Sequence, residues 1–165
     1  GEGVTLDFEE RRGKVYIPPE VRDKFGENPD WLYRLSAEEG ATNPATHEWD
    51  TLITLLKHGH TVRIRRLGEG EKKTSPDIVL DDVITEMKAP DGGGKNTIYN
   101  NMREAKKNFA SLMPIRIQVV IDGARLQLTD EQVRVDIKKN LGGPRFSEFD
   151  RIIYINHNGE EEEFT

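Results

Sequence analysis

Asp77, Glu86 and Lys88 are the residues of this chain whose types and spacing best suit chemistry. They sit in Ser75-Pro76-Asp77-Ile78-Val79-Leu80-Asp81-Asp82-Val83-Ile84-Thr85-Glu86-Met87-Lys88, two short apolar runs about an Asp-Asp pair, which predicts a β-hairpin. A turn symmetric about Asp81 and Asp82 sets Asp77 opposite Glu86 on one sheet face, with Cβ atoms roughly 4.5–5.5 Å apart. A symmetric loop preserves that pairing, whereas a loop with an odd number of residues shifts it by one and separates the acids. Asp-Asp is not the Asn-Gly or Asp-Gly pair that two-residue turns favour. Facing carboxylates repel, and Lys88 shares their face because side chains alternate along a strand. A divalent cation held by Asp77 and Glu86, with the ammonium alongside, resolves the conflict, and that arrangement suits phosphodiester hydrolysis. The plainer alternative is two solvated acids on an ordinary hairpin. Against it, Ile78, Val79, Leu80, Val83, Ile84 and Met87 leave neither face polar, so both strands are expected to be buried on both sides.

The elements that would hold these residues are legible on either side. Residues 1–40 read as a lead-in segment, with a hairpin of residues 4–8 and 14–17 across Glu-Arg-Arg-Gly, a stop at Pro18-Pro19 and a helical turn over 20–25. The main domain is expected over 41–165. Asn43 as N-cap with Pro44 at the first helical position predicts a helix through His58, stopped by Gly59. Glu48 falls on its apolar stripe, i+4 from Leu52 and i+7 from Leu55, so it is expected to point inward. A strand over 61–65 and a polar loop over 67–74 precede the hairpin. After Asp91-Gly92-Gly93-Gly94-Lys95, Asn96 or Thr97 opens a helix with Ile98, Met102, Ala105, Phe109 and Leu112 on one stripe, ended by Pro114. A strand over 115–121 follows. Thr129 and Gln132 form a capping box for a helix through Leu141, and a last hairpin spans Phe149–Ile155 and Glu160–Phe164 across Asn156-His157-Asn158-Gly159. Helix, three strands, helix and strand in that order predict an α/β or α+β layered fold with a mixed sheet.

With 165 residues the chain is long enough for one domain with a core. No apolar run approaches the ~20 residues of a membrane span. The start lacks a basic stretch followed by an apolar one, so no signal peptide is expected. The absence of cysteine excludes disulfides and thiolate metal ligands, leaving oxygen or imidazole donors. A net charge of −6 argues against binding nucleic acid by bulk charge alone. Cations nevertheless cluster at Arg63, Arg65, Arg66, Lys72 and Lys73, and again at Arg103, Lys106 and Lys107. Each cluster reads as a solvated face or as a local anion surface. His58 and His60 straddle a helix end and a strand start, a poor geometry for a shared metal. The four histidines read best as helix-terminus or surface residues, with a metal-free catalytic histidine as the chemical rival.

Asp77 in Pro76-Asp77 and Glu86-Met87-Lys88, on the second and third strands of an αβββαβ order, resemble the PD-(D/E)xK nuclease superfamily. The stretch from about Thr46 to Ile121 further resembles the C-terminal tRNA-nuclease toxin domains of CdiA contact-dependent growth inhibition proteins. That likeness is carried by Leu56-Lys57-His58-Gly59-His60-Thr61-Val62, by residues 75–80, by Glu86-Met87-Lys88-Ala89-Pro90 and by Thr97-Ile98-Tyr99-Asn100-Asn101-Met102-Arg103-Glu104-Ala105. The final hairpin is similar to the way such domains end.

This resemblance implies a restriction-endonuclease-like core and a metal-dependent nuclease hydrolysing RNA, most of all tRNA. It also implies a cognate immunity protein, delivery from a secreted or cell-surface toxin, and action in the target-cell cytoplasm. One Mg²⁺ would be held by Asp77 and Glu86, with Glu48 completing the metal or water shell and Lys88 orienting the water. Thr97 would bind a phosphate where helix N–H groups converge, or serve only as a cap. Asp81 and Asp82 are expected to be turn residues. A DNA endonuclease of the same fold, or a non-catalytic nucleic-acid- or protein-binding module, are the alternative functions.

Overall fold

Asp81 and Asp82 turn the hairpin in left-handed backbone conformations, with φ of 48° and 70°. Positive φ at both central positions is the pattern of the two-residue turn whose twist matches paired strands. Aspartate is among the few non-glycine residues that tolerate it. Asp81 is also fastened from outside: its carboxylate accepts the Thr61 N–H at 2.8 Å and lies 2.5 Å from His60 Nδ1, and its own N–H donates to the Thr61 carbonyl at 2.9 Å. The turn is therefore built from local backbone tolerance plus anchors on a neighbouring segment.

The computed structural model describes residues 3–7, 13–26, 29–66, 76–110, 112 and 116–165. The expected polar loop over 67–74, Lys72 and Lys73 among it, lies outside them, as do residues 10–12 of the first turn and Pro114. The chain forms two compact units, one of the described residues up to 66 with Asp77–Val83, the other of Pro76 with the described residues of Ile84–Thr165.

In the first unit, strands β1 (Val4–Asp7) and β2 (Lys14–Ile17) pair antiparallel, Val4 against Ile17. β2 buries Val15 and Ile17 and exposes Lys14 and Tyr16, the alternation of a half-buried strand. A short helix α1 (Pro19–Phe25) follows. Strand β3 (Leu35–Ala37) runs parallel to β4 (Val62–Ile64), which pairs antiparallel with β5 (Ile78–Leu80). Residues 35–37 of the expected lead-in thus supply a strand.

Helix α2 (Thr46–Lys57) buries Trp49, Leu52, Ile53, Leu55 and Leu56 and packs on α1 and β4. It starts two residues after the position that Asn43-Pro44 predicts. Asn43 instead accepts the Tyr16 N–H through Oδ1 at 2.9 Å, and the Glu48 side chain reaches back to the Ala45 N–H at 2.8 Å to satisfy the helix start.

In the second unit, strand β6 (Val83–Lys88) leaves the turn and runs parallel to β7 (Ile117–Asp122). β7 is parallel to β8 (Phe149–Ile155), and β8 is antiparallel to β9 (Glu161–Phe164). All six residues of β7 are buried, whereas in β6 Val83 is exposed and Ile84 and Met87 are half-buried, so the expected burial of both hairpin strands on both faces holds for β5 alone. Helices α3 (Thr97–Asn108) and α4 (Asp130–Leu141) bring Ile98, Met102, Val133 and Ile137 to a core with Val119, Ile121, Ile152 and Tyr154. α3 ends at Asn108, short of the expected stop at Pro114, and its N-cap is Asn96.

The order α2–β4–β5–β6–α3–β7 and the mixed sheet pairing give the expected α+β fold. Among the described residues no helix is long and apolar enough to cross a membrane.

The start of α4 shows how locally some of this is encoded. Thr129 Oγ1 accepts the Gln132 N–H at 3.1 Å, while the Gln132 side chain turns forward to Asp136 rather than back to the cap. Only half of the predicted capping box is formed. Thr129→Ala is expected to cost about 1 kcal/mol, lowering the melting temperature by roughly 2–4 °C for a chain of this size. Thr129→Ser should melt like the parent in the same thermal scan.

Candidate functional site

Strand β6 presents Glu86 and Lys88 on one face. Its register sets Glu86 beside Val119 and Lys88 beside Ile121, and both neighbours belong to the core against which α3 packs. The two charged side chains therefore face α3. Glu86 is only 2% exposed, and a buried carboxylate needs partners to stay charged. Asn108 supplies one, its Nδ2 donating to Glu86 Oε2. Lys88 supplies another, with Nζ 3.9 Å from that same oxygen. The lysine also donates to Glu104 Oε1 at 2.8 Å. Lys88 thus bridges a buried acid and an exposed one, since the Glu104 side chain is 62% exposed.

Glu104 and Asn108 stand four residues apart and so share one row of α3. Sequence reasoning missed both. The available signal was the polar row Asn101, Glu104, Asn108, flanking the apolar stripe of Ile98, Met102, Ala105 and Phe109. On the opposite face of β6, buried Thr85 accepts from Gln118 Nε2 at 2.9 Å, and Gln118 Oε1 accepts from Arg151 Nε at 3.0 Å. A polar chain therefore crosses β6, β7 and β8 there.

The other expected site residues have these positions. Asp77, in the first unit, is half-buried just before β5, and its carbonyl accepts the Arg65 N–H at 3.1 Å. Glu48 is half-buried at the third position of α2 and accepts the Ala45 N–H, the first-turn placement that also favours an acid electrostatically. Thr97 opens α3, and its hydroxyl donates to the Gly94 carbonyl at 2.7 Å, closing the turn that leads into the helix. Among the described residues no group of three or more His, Asp or Glu side chains is gathered closely enough to hold a metal by itself.

A cluster of perturbed groups lies elsewhere in the second unit. Asp130, at the first position of α4, accepts from the Tyr154 hydroxyl at 2.7 Å and from the His157 N–H at 3.2 Å, and lies 2.7 Å from His157 Nδ1. His157 Nε2 lies 2.9 Å from the Leu126 carbonyl. Burial pushes the Asp130 carboxyl up, but the hydrogen bonds from Tyr154 and His157 outweigh it and hold it below the usual range. The Leu126 carbonyl, then Asp130, raise the His157 pKa, because both acceptors call for a proton on the nitrogen they face. Burial, aided by Asp130, pushes the Tyr154 hydroxyl up. With an acceptor facing each ring nitrogen, His157 serves as a clasp between Asp130 and the Leu126 carbonyl rather than as a general base. His47 and His58 are exposed, and His60 is engaged with Asp81.

Residues 73–160, just over half of the chain, match the family described as the contact-dependent growth inhibition CdiA C-terminal domain. The chain belongs to that family. Asp77, Glu86, Lys88 and Thr97 lie inside the matched stretch and Glu48 lies outside it. The stretch also takes in the last hairpin up to residue 160. Among solved structures, the fold is similar to one described as the CdiA-CT/CdiI toxin and immunity complex from Burkholderia pseudomallei. The TM-score is 0.53 at 14% identity, covering 79% of this chain and 98% of the other. No curated protein matches the sequence.

Proposed function

We propose that this domain is a contact-dependent growth inhibition toxin that hydrolyses phosphodiester bonds in RNA, tRNA above all, with a divalent ion at Asp77 and Glu86. The observation that carries the reading is the buried Glu86 carboxylate with the Lys88 ammonium 3.9 Å away on the same strand face. Such a pair is costly to bury for stability alone, because desolvation opposes the Coulombic gain. The positive-φ turn at Asp81-Asp82 is of the two-residue kind that the proposed pairing of Asp77 with Glu86 presupposes.

Carboxylate oxygens fit Mg²⁺, which binds through one or two acids, waters and the substrate phosphate and so needs no cluster of three. Bound, that ion supplies polarisation of the phosphate and a water of lowered pKa. Asn108 fixes one Glu86 oxygen and so aims the other. Lys88 places a positive charge where negative charge develops on the phosphorane, and its contact with exposed Glu104 is the one a substrate phosphate would replace. Glu48 stands as the further acid of the shell and Thr97 as a phosphate contact at the α3 start. An immunity protein as partner is supported by the toxin and immunity complex whose fold this chain shares. Delivery from a cell-surface protein into a neighbouring cell, and action on tRNA in its cytoplasm, follow from the same reading.

Incubation with total RNA and with plasmid, each in Mg²⁺ or in EDTA, tests the proposal. RNA is expected to be cut in Mg²⁺ and intact in EDTA, with plasmid untouched in both. Plasmid cleavage would reassign the substrate to DNA, and no hydrolysis in any tube would leave a binding module.

A further inference from the structure

The second unit concentrates positive charge where the composition gives no reason for it. The chain carries a net charge of −6, yet a surface cavity of about 450 Å³ is lined, among the described residues, by Arg103, Lys106, Lys107 and Arg145, with Ala110 and a single acid, Glu148. Arg103, Lys106, Lys107 and Ala110 follow the i, i+3, i+4, i+7 spacing of one helix face. Arg145 comes from a separate short helical turn, Pro144–Phe146. Two of the cations are held in place: Lys106 donates to the Arg145 carbonyl at 2.7 Å and lies 3.3 Å from Glu148. Arg145 bonds the Tyr99 hydroxyl, with its guanidinium carbon 5.6 Å from the Tyr99 ring centre. Arg103 and Lys107 are exposed, with no acidic partner among the described residues.

Lys106 and Lys107 close the last turn of α3, where cations suit the helix dipole. That accounts for neither Arg103, a turn further in, nor Arg145 on another element. Like charges one turn apart destabilise a helix, so the arrangement calls for an anion.

We propose that this cavity binds the phosphodiester backbone of the RNA substrate, as a docking surface beside the hydrolytic site. The inference rests on the RNA-nuclease reading above and supplies its missing means of holding substrate. Four cations in one concavity exceed what a lone carboxylate would neutralise, whereas a nucleic-acid backbone presents charges at short regular intervals. The two guanidiniums suit the paired oxygens of phosphate groups. α3 links the two functions: one face lines the cavity, and the adjacent row carries Glu104 and Asn108 to Lys88 and Glu86.

The test is fluorescence anisotropy with labelled bulk tRNA in EDTA, across a salt series, on the parent and on Arg103→Gln/Lys107→Gln. Removing two backbone contacts should weaken binding roughly 10- to 50-fold at 0.1 M salt and reduce the slope of log affinity against log salt by about 1.4–1.8. Both side chains are exposed, so melting should be unchanged. Unaltered affinity and slope in the double variant would overturn the inference and leave an acidic protein as the occupant, as would a parent that does not bind tRNA. Salt-sensitive binding that the double variant loses, in a parent that never cuts RNA in Mg²⁺, upholds this surface while sinking the hydrolytic reading.

Discussion

Glu86→Gln is expected to lower the rate of RNA hydrolysis by about 10²–10³-fold, the usual cost of removing one charge-stabilising group from a preorganised site. The glutamine keeps the shape of the side chain and an oxygen to accept from Asn108, so the buried contact in the second unit survives. What disappears is the negative charge that would draw the cation and that Lys88 faces at 3.9 Å. Removing a charge from a position only 2% exposed also relieves desolvation, which offsets much of the lost ion pair, so the fold should hold. Lys88→Met should behave alike in rate, because the hydrocarbon stem remains while the ammonium is lost. Circular dichroism must show both variants folded, and cleavage is read from the loss of intact tRNA in Mg²⁺. Undiminished cutting by folded Glu86→Gln removes the hydrolytic role from this strand. Asn108→Ala separates positioning from chemistry: it should lower the rate less than Glu86→Gln does and be partly rescued by higher Mg²⁺.

The residues that failed to announce themselves in the sequence share a cause. Glu86 and Lys88 were readable as a pair because they belong to one strand, where alternation fixes the face. Asn108 and Glu104, twenty or so residues away, meet them only after α3 folds onto β6 and β7, and nothing local reports that packing. The start of α2 shows the same competition on a smaller scale. Asn43-Pro44 is a good cap by composition, but the Tyr16 N–H claims the Asn43 oxygen and the helix begins beyond it. Strand β3 was invisible because three residues carry no period, and its partner β4 is distant and parallel. Where the cause is local the reading succeeds: Thr129 caps α4, the stretch before Gly123 holds the strand β7, and the stripe of α3 turns to the core. The Asp-Asp turn sits between these cases, disfavoured by type yet held by Thr61 and His60.

Asp130→Ala is expected to destabilise the domain by about 2–3 kcal/mol, because it strands the Tyr154 hydroxyl and takes away the carboxylate facing His157. Tyr154 has no exposed surface, so water cannot replace the lost acceptor, whereas the His157 side chain is 35% exposed and its share of the loss is reduced by solvent screening. For a chain of this length the loss corresponds to roughly 4–12 °C in melting temperature.

The clasp also carries a pH signature of definite sign. The His157 pKa is raised in the folded state, so its contribution is complete below the ordinary value of 6.5 and fades as pH rises through the higher folded value. The Asp130 pKa is lowered, so its contribution is present above 3.8 and fades only as pH falls beneath that. The parent should therefore lose stability across the window that opens at pH 6.5 and closes at the raised folded value of His157. The neighbouring Arg134–Glu162 pair keeps its charges throughout that window. Asp130→Asn discriminates the two roles, since its amide oxygen still accepts from Tyr154 but offers no charge to the imidazolium. It should melt closer to the parent than Asp130→Ala does and show a flatter profile across the same window. A parent whose melting temperature does not fall as pH rises, or an Asp130→Asn variant that retains the full slope, would show that His157 does not carry the charge on which the clasp depends.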